Sequence, residues 1–187
     1  VGSQDQISAA YGGMNEIIFN RDESFLVNPA ILSQDRKNEL NDHLMLFYSG
    51  ISRFSSDISK SQVSNIKNCT PQMQDLFDMV DEGSSILKNP NISLDEFGKL
   101  LHESWQVKRS LSDKVSNSLI NEIYEVARSS GALGGKVLGA GGGGFILLFV
   151  KPKDQEVVKV KLKNLVHVPF KFENTGSKVV LYQPNGL

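Results

Sequence analysis

Hydrophobic residues recur along the chain in two kinds of pattern, first strand-like and then helical. Short apolar runs predict strands over Asn15–Phe19, residues 25–27 and Leu44–Tyr48, and residues 5–10 before them suit a short helix. From about residue 54 to 127, apolar side chains recur at intervals of three and four, which is the spacing of one helix face. The pattern therefore predicts a strand-rich beginning and a helical middle.

Within the helical middle, two start signals stand out. Thr70-Pro71 favours a helix start, since proline is tolerated in the first turn. Ser93 is a typical N-cap residue, and an apolar stripe follows it. That stripe consists of Leu94, Phe97, Leu101 and Trp105. We therefore interpret Trp105 as a core residue rather than a platform for a sugar ring.

After residue 144 the pattern returns to strands. Phe145–Val150 is apolar at every position, which is typical of a buried strand. A short helix is predicted over residues 154–165, a half-buried strand over 166–172 and a last strand over 178–182. The sum is an α+β fold, in which an antiparallel sheet carries helices mainly on one face.

The composition narrows the class of protein. Of the 187 residues, 40% are hydrophobic and 22% are charged, which favours a folded chain with a sizeable core. Twenty Lys and Arg balance 21 Asp and Glu, so we expect neither a nucleic-acid partner nor a membrane surface, both of which need a basic face. No apolar run reaches the ~18 residues that span a bilayer.

Cysteine and histidine usage argues against a metal site in this chain. Cys69 is the single cysteine, so neither an intrachain disulfide nor a cysteine zinc site can form, and this fits a cytoplasmic protein. His102-Glu103 looks like the start of an HExxH zinc motif, but Gln106 stands where the second histidine is needed.

Glycine is concentrated in one segment. Eight of the 16 glycines lie within residues 131–144, which the pattern places in a loop between a helix and a strand. Three of them satisfy GxGxxG, but a dinucleotide fold needs a strand before that motif and a helix after it. Walker A is disfavoured because Val137 follows Lys136. A protein-kinase glycine loop is disfavoured because its accompanying motifs are missing.

A flexible linker, a tight structural crossing and a phosphate-proximal loop remain as interpretations of the segment. The linker is disfavoured, since the segment leads straight into the most apolar strand. Ordering so many glycines costs conformational entropy, which suggests close backbone approach or positive φ angles. A row of backbone N–H groups forms a cradle for an anion, and this favours the phosphate-proximal loop.

Four blocks of the sequence resemble one enzyme family. Residues 134–144, GGKVLGAGGGG, resemble the third motif of the GHMP kinases (galacto-, homoserine, mevalonate and phosphomevalonate kinases). Residues 4–13, 46–53 and 101–112 are similar to blocks of the sugar-kinase branch that includes D-glycero-D-manno-heptose 7-phosphate kinase. The resemblance runs from about residue 2 to residue 182.

The resemblance implies a domain organisation. Residues 39–187 would form the GHMP kinase C-terminal domain, a ferredoxin-like two-layer sandwich, and residues 1–38 the tail of the N-terminal nucleotide- and substrate-binding domain. The first two family motifs, which carry most ATP contacts and the magnesium ligands, would precede Val1. We therefore expect the C-terminal part of a cytoplasmic kinase that uses ATP and Mg²⁺ and is inactive as this chain alone, with the oligomeric state left open.

The implied reaction is phosphoryl transfer from ATP to a hydroxyl of a sugar phosphate. Within the resembling branch, this is the anomeric hydroxyl of D-glycero-D-manno-heptose 7-phosphate, on the way to a surface polysaccharide. Two alternatives stay open: a kinase of an unphosphorylated sugar such as fucose or galactose, and a non-catalytic C-terminal domain.

The resemblance also implies site residues. Asp5 matches the family's catalytic base, whereas by position alone it suits the start of a helix. Lys136 is either a solvated charge or a phosphate contact. Candidates for the distal phosphate of a sugar phosphate are basic, because such side chains match phosphate geometry and charge; they are Arg53, Lys108 and Arg109. The loop residues that would line the site are Gly139, Ala140, Gly141, Gly142 and Gly143.

Overall fold

The structure is a computed structural model, and it describes residues 3–51 and 55–180. The chain divides into two compact units: Val1–Ile31 with Lys171–Leu187, and Leu32–Phe170. The domain boundary that the resemblance implies between residues 38 and 39 stays a prediction.

The first unit contains one helix and one hairpin. Helix α1 (Gln4–Tyr11) precedes strands β1 (Asn15–Phe19) and β2 (Phe25–Pro29), which pair antiparallel. The returning segment bonds to the end of α1, since Ser177 N donates to Ala10 O at 3.0 Å. The strand predicted over 178–182 is wrong for residues 178–180, which form no strand, and residues 181 and 182 lie outside the described part.

The second unit contains six helices and four strands among the described residues. In chain order they are α2 (Gln34–His43), β3 (Leu44–Tyr48), α3 (Ser55–Asn65), α4 (Thr70–Lys88), α5 (Leu94–Ser110), α6 (Ser118–Ser129), β4 (Ala132–Val137), β5 (Phe145–Val150), α7 (Gln155–Lys161) and β6 (Val166–His167). The sheet order is β4-β5-β3-β6, and every neighbouring pair is antiparallel. The predicted α+β class with an antiparallel sheet is therefore confirmed.

The core lies where the central strands meet the helices. Met45 of β3 lies opposite Leu148 of β5, and Phe47 lies opposite Ile146, so that alternate residues of both strands bury one face. The apolar side of α6 belongs to the same buried cluster. Trp105 is 1% exposed within this cluster, which confirms its interpretation as a core residue.

Helix α2 is not predicted by the hydrophobic pattern, because its sequence is almost entirely polar. It is held by Arg36, whose side chain is buried. The guanidinium donates to Ile86 O at 2.9 Å and to Ile92 O at 2.6 Å, and it pairs with Glu39 at 3.0 Å. The last carbonyls of a helix lack partners within it, so this buried cation satisfies the end of α4.

Strand β4 is also missing from the predicted pattern, because it lies inside the glycine cluster. A Cβ atom on Gly134 would overlap Gly98 O of α5, and a Cβ atom on Gly98 would lie 2.6 Å from Phe149 Cδ1. Glycine at both positions lets the helix backbone rest directly on the strand. Part of the cluster therefore makes a helix–strand contact, and the loop proper covers only residues 138–144.

This strand corrects the expected element order around the cluster. A strand, and not a helix, directly precedes the loop, so the hairpin β4–β5 carries it. A dinucleotide fold is still disfavoured because a strand also follows the loop.

Two other expectations need correction. Helix α7 ends at Lys161 rather than at residue 165, and β6 covers two residues rather than 166–172. Helix α4 also leaves large apolar side chains in solvent, since Phe77 is 66% exposed and Val80 is 55% exposed.

We predict that Gly134→Ala destabilises the fold strongly, because the new methyl group would collide with rigid helix backbone. The free energy of unfolding, measured by denaturant titration, should fall by about 3 kcal/mol. Gly83→Ala in α4 is the matched control, since its Cβ would meet side-chain atoms at ordinary contact distance, Leu100 Cδ2 at 3.4 Å and Phe97 Cε2 at 3.7 Å. That control should be neutral or slightly stabilising. Equal effects of the two substitutions would contradict the backbone contact.

Candidate functional site

The glycine loop, residues 138–144, is tied to the body of its unit by its backbone. Gly142 N donates to Val115 O, and Gly144 N donates to Ile51 O, each at 2.8 Å. Leu138 N donates to Phe145 O at 2.9 Å and closes the hairpin. The loop is therefore an ordered part of the fold, which disfavours the flexible linker.

Side chains from three parts of the unit donate hydrogen bonds to carbonyl groups of the glycine loop. The contacts are Lys108 Nζ to Gly139 O at 2.6 Å, Gln62 Nε2 to Ala140 O at 3.3 Å and Asn117 Nδ2 to Gly142 O at 3.0 Å. Asn117 precedes α6 and also caps it, since its Oδ1 accepts from Ile120 N at 3.0 Å.

Several N–H groups of the glycine loop have no hydrogen-bond acceptor among the described residues. Within residues 3–51 and 55–180, no acceptor is bonded to the N–H of Gly139, Ala140, Gly141 or Gly143. A Cβ atom on Gly141, whose φ is 109°, would lie 2.5 Å from Val115 O. A Cβ atom on Gly143 would lie 2.8 Å from Ile51 O. In phosphate-binding loops of known proteins, phosphate is held by unpaired amides on a closely packed backbone of this kind.

Lys136 lies on β4, two residues before the loop begins at Leu138, and is half-buried. Desolvation lowers its pKa from the usual 10.5. In the described part of the chain, no carboxylate lies within ion-pair distance of its ammonium group. Lys136 is therefore a partly desolvated cation with no carboxylate beside it in the described part. Of its two interpretations, this favours a phosphate contact over a fully solvated charge.

Of the remaining predicted site residues, one contacts the glycine loop and the others do not or lie outside the described residues. Lys108 is brought to the glycine loop, and Arg109 beside it contacts Gln106 Oε1 at 3.4 Å. Arg53 lies outside the described residues. Asp5 belongs to the first unit, where it is exposed in the first turn of α1. Each role predicted for these four side chains stays a prediction.

Gln62 and Asn117 are contacts of the loop that the sequence pattern does not reveal. Asn117 stands directly before the apolar positions of α6, which is an N-cap signal and could have marked it as structural. Neither residue carries a signal for the loop, because both contacts join segments far apart in the chain.

His102 has a structural partner. Its Nδ1 lies 2.8 Å from Tyr124 Oη, and the two rings stack. Burial lowers the pKa of His102 and raises the pKa of Tyr124 to about 12, so both groups are neutral near pH 7. No cluster of three or more His, Cys, Asp or Glu suited to a metal ion occurs among the described residues.

Among the helices of residues 3–51 and 55–180, none is both long and apolar enough to cross a membrane.

Comparison with known proteins gives one family. Residues 86–167 match the family model described as GHMP kinases C terminal. D-glycero-alpha-D-manno-heptose 7-phosphate kinase from Campylobacter jejuni is 31% identical over 182 residues, which cover 95% of this chain and 53% of that protein. The bifunctional fucokinase/GDP-fucose pyrophosphorylase of Arabidopsis thaliana is 25% identical over 160 residues, which cover 82% of this chain and 15% of that protein.

A solved structure shows the same fold. The crystal structure of a D-glycero-D-manno-heptose 1-phosphate kinase from Bacteroides thetaiotaomicron superposes with a TM-score of 0.69 and 25% identity, over 97% of this chain and 50% of that one. The chain thus spans about half the length of the heptose phosphate kinases that it matches.

We predict that Lys136→Met stabilises the protein at pH 7 and that this gain shrinks as the pH rises. Because the folded-state pKa of Lys136 is lowered, the unfolded chain binds more protons between that pKa and 10.5. The cost of the desolvated charge is therefore full below the lowered pKa and is relieved as the pH rises towards 10.5. Denaturant titrations at several pH values measure this difference.

Lys99→Met is the control for that titration. The carboxylate of Glu96 raises the pKa of Lys99, so this ion pair stabilises the folded state below pH 10.5. Its contribution to stability is lost as the pH rises through the raised pKa. Its replacement should not stabilise the protein at pH 7. A Lys136→Met variant that is less stable than the parent at every pH would contradict the desolvated charge.

Proposed function

Residues 86–167 belong to the GHMP kinase C-terminal family, and we propose that the chain serves as the C-terminal part of an ATP-dependent sugar kinase. The observation that carries this proposal is the glycine loop, in which carbonyl groups are held by side-chain donors and four amides lack an acceptor in the described part. Such a loop is suited to an anion, and the anion that a kinase must hold is phosphate.

The loop fits ATP better than it fits a metal ion. ATP would supply the transferred phosphoryl group, and the loop amides together with Lys136 would bind phosphate oxygens. Residues 138–144 contain no carboxylate, and Mg²⁺ prefers oxygen ligands of that kind. We therefore expect the magnesium ligands elsewhere in the complete kinase.

The proposed acceptor of the proton is Asp5. As the sugar hydroxyl oxygen bonds to the γ-phosphorus and ADP leaves, the carboxylate would take the hydroxyl proton. An exposed carboxylate that makes no hydrogen bond or ion pair within the described residues supports this role. Arg53, Lys108 and Arg109 remain the proposed contacts for the distal phosphate of the acceptor.

We propose a heptose 7-phosphate as that acceptor. The support is the extent of the similarity, since the Campylobacter jejuni protein named for this substrate matches 95% of the chain. Fucose and galactose are less favoured, because the fucokinase relative is more distant and matches less of the chain. A cytoplasmic location follows from the need for ATP.

The substrate proposal predicts the outcome of an assay on the full-length protein. Release of ADP should be at least about tenfold faster, in kcat/KM, with heptose 7-phosphate than with fucose or galactose, since a distal phosphate adds charge-assisted hydrogen bonds. A preference for an unphosphorylated sugar would support the alternative kinase. No ADP release with any sugar would favour the non-catalytic domain.

The role of Asp5 predicts a loss of turnover without a loss of ATP binding. In the full-length protein, Asp5→Asn should lower kcat by about 100-fold or more, because the amide cannot accept the hydroxyl proton. Isothermal titration calorimetry should give the parent Kd for ATP. Asp22→Asn, an exposed carboxylate in the same unit, is the control and should keep full turnover. Parent-like turnover in Asp5→Asn would exclude Asp5 as the base.

A further inference from the structure

We infer that Lys108, Gln62 and Asn117 are positioning residues, which orient three amides of the glycine loop towards a bound phosphate. This inference rests on the proposed function of the loop as a phosphate site. It goes further by assigning one side chain to each amide. It adds to the contact proposed for Lys108 a second role, which acts through the loop.

The inference follows from the planarity of the peptide group. In a trans peptide, the carbonyl of one residue and the N–H of the next point in opposite directions. None of the described peptide bonds is cis. A side chain that holds a loop carbonyl therefore turns the following N–H away from itself, towards the opposite side of the loop backbone.

Applied to the glycine loop, this rule connects each donor with one amide. The hydrogen bond from Lys108 to Gly139 O orients the N–H of Ala140. In the same way, the bond from Gln62 to Ala140 O orients the N–H of Gly141, and the bond from Asn117 to Gly142 O orients the N–H of Gly143. All three amides are among the four that lack an acceptor in the described part of the chain.

The remaining amides of the loop show the complementary arrangement. Gly142 N and Gly144 N point inwards and donate to Val115 O and Ile51 O. Between residues 139 and 144, two peptide groups are thus anchored by their N–H and three by their carbonyl. Each of those three presents an N–H to a ligand and depends on a side chain from another part of the unit.

Asn117 allows the loop contact to be separated from fold stability. Its Oδ1 caps α6, while its Nδ2 holds Gly142 O. Serine is as good an N-cap as asparagine, but its shorter side chain carries no amide donor. Asn117→Ser therefore keeps the helix cap and removes the loop contact.

The experiment is an NMR titration of the ¹⁵N-labelled full-length protein with pyrophosphate as the probe. In the parent protein, the amide resonances of Ala140, Gly141 and Gly143 should shift with one common Kd. The resonances of Gly142 and Gly144 should move much less, because their N–H groups are already bonded within the fold. Shifts confined to other regions would overturn the inference.

Each variant should then alter its own amide. Asn117→Ser should suppress the chemical-shift change of the Gly143 amide. It should raise the Kd for pyrophosphate about fivefold, which is the cost of one hydrogen bond. The melting temperature should stay close to that of the parent protein. Lys108→Met should suppress the shift of Ala140 in the same way. Lys108→Gln, which keeps a donor without the charge, should recover part of that shift.

Lys99→Met is the matched control, because it removes the same charge from the same helix and lies outside the loop contacts. It should leave the three shifts unchanged. Variants that weaken all three shifts equally, or none of them, would overturn the residue-by-residue assignment. If the predicted shifts occur but no sugar is phosphorylated, the inference stands and the proposed kinase function fails.

Discussion

The backbone contact between α5 and β4 determines where the candidate site can form. Gly98 and Gly134 leave no side chain between the helix and the strand, so α5 lies directly on the strand that leads into the glycine loop. Lys108 follows Gly98 by ten residues, which is about 15 Å along the helix axis. That distance brings its ammonium group to Gly139 O. The glycine cluster therefore has two physical roles, a close helix contact at its beginning and an anion-suited loop at its end.

The site gains its chemistry from fixed dipoles more than from titratable groups. Within the described residues, the loop combines amides that lack an acceptor with the cations of Lys108 and Lys136, and its own sequence carries no carboxylate. Groups that are oriented before the ligand binds need little reorganisation when negative charge develops on a phosphoryl group. The hydrogen bonds that hold the loop offset part of the entropy lost by ordering its glycines.

The elements that could be predicted from the sequence are those with their own apolar pattern. Strands β3 and β5 and helix α5 each show such a pattern, and each was correctly placed. Helix α2 could not be found, because Arg36 stabilises it through carbonyls about fifty residues away. Strand β4 could not be found, because glycine gives no strand signal. Glycine is required at position 134 by the close backbone of helix α5, which the local sequence does not reveal. In the site, motif resemblance located the glycine segment. The contacts of Lys108, Gln62 and Asn117 with the loop are tertiary, and the sequence did not reveal them.

The central claim is that three oriented amides of the glycine loop bind the phosphates of the nucleotide. The most direct test is a crystal structure of the full-length protein with a non-hydrolysable ATP analogue. We predict phosphate oxygens at about 2.7–3.2 Å from the amide nitrogens of Ala140, Gly141 and Gly143. A bound analogue whose phosphates contact none of these three nitrogens would contradict the account.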